Sequence, residues 1–151
     1  MHEDLRMDHL LVGHWSSLPF SYGVMEASEL AFLGDGRGWS TWFNVEGLCV
    51  TRFTWRCPES GVLELSALWM VQGTLSQEPG PPAFSSMEPA ERLDEVTRHR
   101  YVVGPAVPMP DAEPLIAVSF EDPVEFCHQY ARGSALIRPE EDPTHLVLPY
   151  Q

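Results

Sequence analysis

Positive charge is scarce in this sequence, which has 9 Lys and Arg residues against 22 Asp and Glu residues and a formal net charge of −13 at pH 7. Nucleic-acid binding depends on a basic patch that pairs with phosphates, so this balance argues against nucleic acid as a partner. The acidic residues gather in segments 88–95, 111–113, 121–122 and 140–142. A solvated acidic surface explains them, and a face that docks a basic protein is the alternative.

Long apolar runs are also missing. No run approaches the roughly 20 residues that a membrane-spanning helix needs, so we expect no membrane partner. Residues 1–9 are polar and charged, which predicts a flexible tail. The first ten residues lack both the basic region and the apolar core of a secretion signal, and the expected location is cytoplasmic.

Cysteine is sparse, and the 3 residues present cannot all pair within one chain. On a straight strand, Cys49 and Cys57 would lie about 26 Å apart, too far for a disulfide. The sequence contains no Cys-x-x-Cys pair and no cysteine–histidine spacing typical of zinc sites. We therefore expect reduced, mostly buried thiols, including Cys127, and no metal site of this kind.

Established catalytic motifs are absent as well. The sequence has no Gly-x-Ser-x-Gly, no phosphate-binding glycine loop and no His-Glu-x-x-His. Gly34, Gly36 and Gly38 fall in a predicted hairpin, whereas a dinucleotide site needs a strand followed by a helix. No cofactor is predicted, and the sequence leaves open whether the protein is an enzyme.

Turn signals, in contrast, are well placed between apolar runs. Runs at 29–33, 39–45, 49–57 and 62–75 are rich in β-branched and aromatic residues. Asp35-Gly36, Glu46-Gly47 and the segment 58–61 separate them, and such pairs favour tight turns. The stretch from 28 to 75 therefore predicts an antiparallel meander.

Further runs at 13–15, 95–103, 115–121 and 124–131 bring the predicted strands to eight. Apolar and polar residues alternate along several runs, as in strands buried on one face. Eight strands in up-and-down order close a barrel wide enough for one small ligand. The sequence thus predicts an all-β antiparallel barrel forming a single domain over residues 10–151.

One segment, residues 76–92, interrupts the strand pattern because it carries four prolines. We expect a long loop here. Phe84 and Met87 could fold it over the barrel mouth as a lid, and a mobile connection is the alternative.

Gly13-His14-Trp15, directly after an apolar run, resembles the Gly-x-Trp signature on the first strand of lipocalins and the wider calycin superfamily. The resemblance covers about residues 10–132 and extends to small bacterial lipocalin-like domains. It implies that Trp15 packs at the closed end of a barrel against an arginine of the last strand, for which Arg132 is suitably placed. It also implies a small, largely apolar ligand inside the barrel.

Four polar side chains fall on predicted inward faces, and each histidine lies two residues from a tyrosine: His99, Tyr101, His128 and Tyr130. If both strands face the lumen, these groups converge with Thr41 and Thr51 in an apolar cavity, as in small-molecule sites. The apolar wall would comprise Phe43, Phe53, Trp55, Trp69 and Phe126. The bland interpretation is that all are hydrogen-bonded core or rim residues.

The leading functional hypothesis is therefore binding of a small apolar molecule inside the barrel. An enzyme that uses His99 or His128 as general base is the second hypothesis. An acidic interaction module with a filled barrel is the third, and a homodimer is compatible with each. A histidine-ligated metal or haem would need a geometry that the spacing does not indicate.

Overall fold

A computed structural model describes residues 8–20, 26–125, 127–134, 136–145 and 148. The strands are Gly13–Ser16 (β1), Ala27–Phe32 (β2), Arg37–Phe43 (β3), Gly47–Glu59 (β4), Val62–Leu75 (β5), Phe84–Met87 (β6), Glu91–Ala106 (β7), Leu115–Val124 (β8) and Cys127–Arg132 (β9). Short 3-10 turns cover His9–Leu11, Leu18–Phe20 and Pro139–Glu141. Within these described ranges, helical segments are all too short or too polar to cross a membrane.

The strands form one antiparallel sheet in the order β4-β3-β2-β1-β9-β8-β7-β5, and pairing of β4 with β5 closes it. Sequence neighbours pair around the ring, so the topology is up-and-down. The prediction of an all-β, eight-stranded antiparallel barrel is confirmed. Each of these eight strands pairs with a neighbour on both sides over at least part of its length, so closure covers most of their edges.

The predicted Asp35-Gly36 turn joins β2 to β3. Gly36 has a φ of 91°, in the left-handed region that glycine adopts without strain. Asp35 stabilises the turn, since its Oδ1 accepts a hydrogen bond from the backbone N–H of Arg37 at 3.1 Å. Local turn chemistry was therefore sufficient to locate this hairpin.

The proline-rich segment 76–92 is more ordered than the predicted loop. It contains β6, which pairs with the end of β5, and the first residues of β7. Gly73 permits this pairing, because a Cβ there would lie only 2.0 Å from the carbonyl oxygen of Ser86. Phe84 packs against the outer face of the barrel. A lid would instead place it over the barrel mouth.

An inner core fills one end of the barrel. Its buried members come from the inward faces of most strands and are Leu11, Trp15, Leu30, Phe32, Phe53, Trp55, Cys57, Leu63, Leu65, Tyr101, Val118, Phe120, Val124 and Tyr130. Trp15 is fully buried and its indole N–H donates to the Leu11 carbonyl at 2.8 Å. The Arg132 guanidinium lies 5.1 Å from the Trp15 ring centroid, as the resemblance implied.

A second, outer core lies on the opposite face of β2, β3 and β4. It consists of Ala31, Leu33, Trp39, Leu48 and Val50. Phe84 of β6 and Ile137 of the C-terminal segment pack against it. A buried ion pair connects the C-terminal segment to β4: Arg52 Nε lies 2.6 Å from Asp142 Oδ2. The barrel wall is therefore covered by protein on both faces here.

Candidate functional site

Four predicted ligand-binding residues belong to the filled end of the barrel: Phe53, Trp55, Tyr101 and Tyr130. The Tyr130 hydroxyl lies 2.6 Å from Ser28 Oγ and donates to the Val124 carbonyl. Burial raises the pKa of Tyr130 far above its ordinary value. These four residues are therefore core residues, as the alternative interpretation of the sequence held. They pack against one another, and their polar atoms are hydrogen-bonded within the core.

The hydroxyl of Tyr101 also has hydrogen-bond partners within the protein. Its hydroxyl donates to Asp8 Oδ2 at 2.5 Å and lies 3.6 Å from Cys57 Sγ. Burial, followed by the contact with Asp8, raises the pKa of the phenol. Tyr101 therefore ties the segment that precedes β1 to the barrel.

The two histidines predicted to converge, His99 and His128, make no contact with each other among the described residues. His99 is half-buried, with Nε2 at 3.0 Å from Thr97 Oγ1 and its ring centroid 6.1 Å from that of Phe120. His128 is exposed, with Nδ1 at 3.0 Å from the carbonyl oxygen of Phe120. Both imidazoles thus lie near Phe120, while Thr41 lies on the outer face of the barrel.

Phe43 and Trp69 lie outside the lumen, although the sequence predicted them in its apolar wall. Phe43 packs against the outer core. Trp69 is the cross-strand partner of Arg52, and the Arg92 guanidinium stacks on its ring at 5.3 Å from the centroid. A register shift between Ala67 and Trp69 causes the change, because one extra residue in a strand sends the following side chains to opposite faces. Phe126 lies outside the described residues.

The inward positions at the other end of the barrel follow from cross-strand pairing, since paired residues point to the same face. Ser28 faces inward because its hydroxyl contacts Tyr130; it pairs with Trp42, which pairs with Cys49. Leu30 of the inner core pairs with Ser40, and the next partners are Thr51 and Met70. We call this region, lined by Ser40, Trp42, Cys49, Thr51 and Met70, the open lumen.

The barrel wall is incomplete beside the open lumen. Within the described residues, the ladder between β7 and β8 covers only Tyr101–Ala106, although β7 begins ten residues earlier at Glu91. Thr97 shares the inward face with Leu65, yet it is exposed, and His99 is half-buried. The inward side of β7 is therefore exposed to solvent along its unpaired part.

Glu125, in the turn between β8 and β9, extends into the open lumen. Its Oε2 accepts a hydrogen bond from the Ser40 hydroxyl at 3.1 Å, and its φ is 51°. Burial raises the pKa of this carboxyl, which has no cation within hydrogen-bond distance in the described part of the chain. Burial, followed by the charge of Glu125, raises the pKa of the neighbouring Cys49 thiol to about 11.

Sequence reasoning missed Glu125 because strict alternation assigned it to the outer face, between Val124 and Phe126. A non-glycine residue in the left-handed region interrupts that alternation and redirects the side chain. Asp122-Pro123 was the turn signal that the sequence offered close to Glu125. It was interpreted as a break between strands, whereas β8 continues to Val124.

No group of three or more His, Cys, Asp or Glu side chains in the described ranges is arranged to hold a metal ion. Comparisons with protein-family models, with curated proteins and with solved structures each found no significant match to this chain.

Proposed function

We propose that the protein binds one small, largely apolar molecule in the open lumen. The observation that carries this proposal is the change in side-chain size along the barrel interior. Large aromatic residues pack the filled end, whereas three of the five residues that line the open lumen, Ser40, Cys49 and Thr51, are small. An eight-stranded barrel is filled by large side chains or accommodates one ligand, so small side chains favour the second outcome here.

The chemistry of the wall supports an apolar ligand with one neutral polar group. Trp42 and Met70 offer apolar contact surface, and burial of ligand surface contributes roughly 25 cal/mol per Å². Burial raises the pKa of Glu125, so its carboxyl keeps a proton to a higher pH than an exposed glutamate does. Glu125 and Ser40 place polar oxygens in this wall, and a ligand hydroxyl can donate to either of them.

We also propose that the chain belongs to the calycin superfamily. Gly13-His14-Trp15 on β1, the stacking of Arg132 on Trp15 and the closed up-and-down barrel support this assignment. Because folds of this kind host unrelated functions, the assignment adds little to the choice of ligand.

Catalysis by His99 is the second candidate function. Burial lowers the pKa of His99, which favours the neutral imidazole that a general base requires. A hydrogen bond with the Asp122 backbone opposes this shift. His99 lines a polar pocket together with Glu59, Arg100 and Asp122, and a substrate bound there would lie beside the imidazole.

The test uses the neutral fluorescent probe N-phenyl-1-naphthylamine and native mass spectrometry of protein purified without refolding. We expect one probe per chain and a loss of affinity of at least tenfold in Thr51→Trp, because the larger side chain fills the open lumen. The matched control is Thr54→Trp, an exposed position on the same strand. Equal affinities in the two variants, or no probe binding by the wild type, would refute the proposal.

A further inference from the structure

A second cavity lies outside the barrel, on the outer core. It has a volume of about 410 Å³ and lies between β2, β3, residues 81–83 and the C-terminal segment 137–145. Small-molecule sites have volumes in this range, and they combine apolar walls with a few polar groups. Trp39, Pro82 and Ile137 supply apolar lining here.

Carboxylates outnumber cationic groups in the lining of this outer cavity. Glu29, Glu140, Glu141 and Asp142 face two histidines, His14 and His145. Asp142 is neutralised by Arg52, and Glu141 Oε2 accepts from the Arg138 backbone N–H at 2.8 Å. The cavity therefore carries an excess of negative charge and favours a cation over an anion.

Glu29 keeps one oxygen available in this cavity. Its Oε1 lies 3.1 Å from His14 Nε2, while Oε2 has no partner among the described residues. Direct contact with Glu29 raises the pKa of His14, and burial opposes this shift. The Glu140 carboxylate is exposed at the cavity rim, likewise without a described partner.

Thr41 provides an independent indication of a ligand. Its side chain lines the same cavity, the residue is only 3% exposed, and its hydroxyl has no hydrogen-bond partner in the described part of the chain. A buried hydroxyl without a partner is costly, so such groups are rare unless a ligand or another group completes them. Thr41 Oγ1 is positioned to accept a hydrogen bond from a molecule in the cavity.

The two polar groups are close enough to bind one ligand atom. Glu29 on β2 and Thr41 on β3 are direct cross-strand partners. Cβ atoms of such partners lie roughly 4.5–5.5 Å apart on the same face of the sheet. A single ammonium nitrogen with three N–H donors can therefore reach both Glu29 Oε2 and Thr41 Oγ1.

We propose that the outer cavity binds a small organic cation, a primary ammonium group attached to an apolar body. The ammonium group lies between Glu29 and Thr41. The apolar body packs against Trp39 and Ile137. This site is separate from the open lumen, because Thr41 and Thr51 lie on opposite faces of the barrel wall.

The test compares two probes of the same shape, 2-phenylethylammonium and the neutral 2-phenylethanol, by isothermal titration calorimetry. We expect the ammonium probe to bind at least tenfold more tightly, with an affinity that falls as salt is added. Equal affinities for the two probes, or no binding of the ammonium probe, would overturn the proposal.

Substitutions at Glu29 and Thr41 test the two proposed contacts with the ammonium group. Glu29→Gln keeps the shape but removes the charge, and we expect a loss of ammonium affinity of at least tenfold. The control Glu78→Gln changes an exposed carboxylate outside the cavity and should leave the affinity unchanged. Equal effects of the two substitutions would contradict the role of Glu29.

Thr41→Val should weaken the ammonium probe severalfold and raise the melting temperature of the unliganded protein, because it removes the unpartnered hydroxyl. Thr41→Ser retains the hydroxyl and should retain most of the affinity. Loss of binding in both, or in neither, would refute a hydrogen bond to Thr41. Thr51→Trp should leave ammonium binding intact, which distinguishes this site from the open lumen.

Discussion

The inner and outer cores lie on opposite faces of β2 and β4 but are closed in different ways. The inner core is enclosed almost entirely by barrel strands, and among the described residues Leu11 is the buried member from outside them. The outer core is covered by β6 and by the C-terminal segment, which come from distant parts of the chain. The difference indicates a rigid inner packing and an outer packing that depends on the docking of two short segments.

The largest expected effect compares the same substitution in the two cores. Leu63 and Leu48 are both almost fully buried, at 0% and 2% exposure. Leu63→Ala leaves a cavity between strands that cannot collapse, and we expect a loss of about 4–5 kcal/mol. Leu48→Ala should cost only about 2–3 kcal/mol, because the covering segments can move into the gap.

Urea unfolding of the two variants, with unchanged slopes, measures this difference. A larger loss for Leu48→Ala than for Leu63→Ala would show that the outer core is the more rigid of the two. That result would contradict the proposed difference between the two cores.

The next effect concerns the ion pair that holds the outer segment. Asp142 is fully buried, and its Oδ1 also accepts from the backbone N–H and hydroxyl of Thr144 at 2.7 and 2.8 Å. Asp142→Asn leaves the buried Arg52 without its carboxylate partner, and we expect a loss of about 3 kcal/mol. Thermal or urea unfolding gives the value.

The control is the double variant Arg52→Met with Asp142→Asn, which removes both charges and keeps an oxygen for Thr144. Because the cost comes from an uncompensated buried charge, the double variant should recover at least half of the loss. A double variant no more stable than the single one would contradict this explanation.

The smallest effect distinguishes one histidine on each face of the barrel. Contact with Glu29 raises the pKa of His14 above 6.5, and burial lowers the pKa of His99 below 6.5. The folded state therefore binds the His14 proton more tightly than the unfolded chain does, and the His99 proton less tightly. Titration of the imidazole signals by NMR should show His14 above His99.

The two histidines give stability opposite slopes with pH. The contribution of His14 is complete below the unfolded pKa and is lost as pH rises through its raised folded pKa. The contribution of His99 is complete above the unfolded pKa and is lost as pH falls through its lowered folded pKa. Glu29→Gln should lower the His14 pKa and leave His99 unchanged; a shift of both would refute the assigned cause.

Much of the barrel was predictable from local chemistry. The eight runs correspond to eight strands, and Asp35-Gly36 forms the predicted turn. The contact of Arg132 with Trp15 matches the resemblance as well. These features depend on periodicity, turn residues and a short motif, which are all visible within a few residues of sequence.

The predicted site was harder, because it required the correct face for every strand. The bulge near Trp69 and the left-handed conformation at Glu125 each changed which side chain points inward. Neither carries a local signal such as a glycine at the position itself. Tyr101 and Tyr130 do face inward, but they complete the core, because the segment before β1 brings Asp8 to the hydroxyl of Tyr101 and β2 brings Ser28 to that of Tyr130.

The sequence alone determined the class of fold, the approximate strand limits and the negative net charge, because these follow from residue type and spacing along the chain. Tertiary structure decided which end of the barrel the aromatic core fills and which side chains face inward at the other end. It also placed Glu29 beside Thr41, and Asp142 beside Arg52, which is 90 positions away in the chain. Such contacts depend on strand register and on the docking of distant segments, and periodicity within one strand contains no information about either.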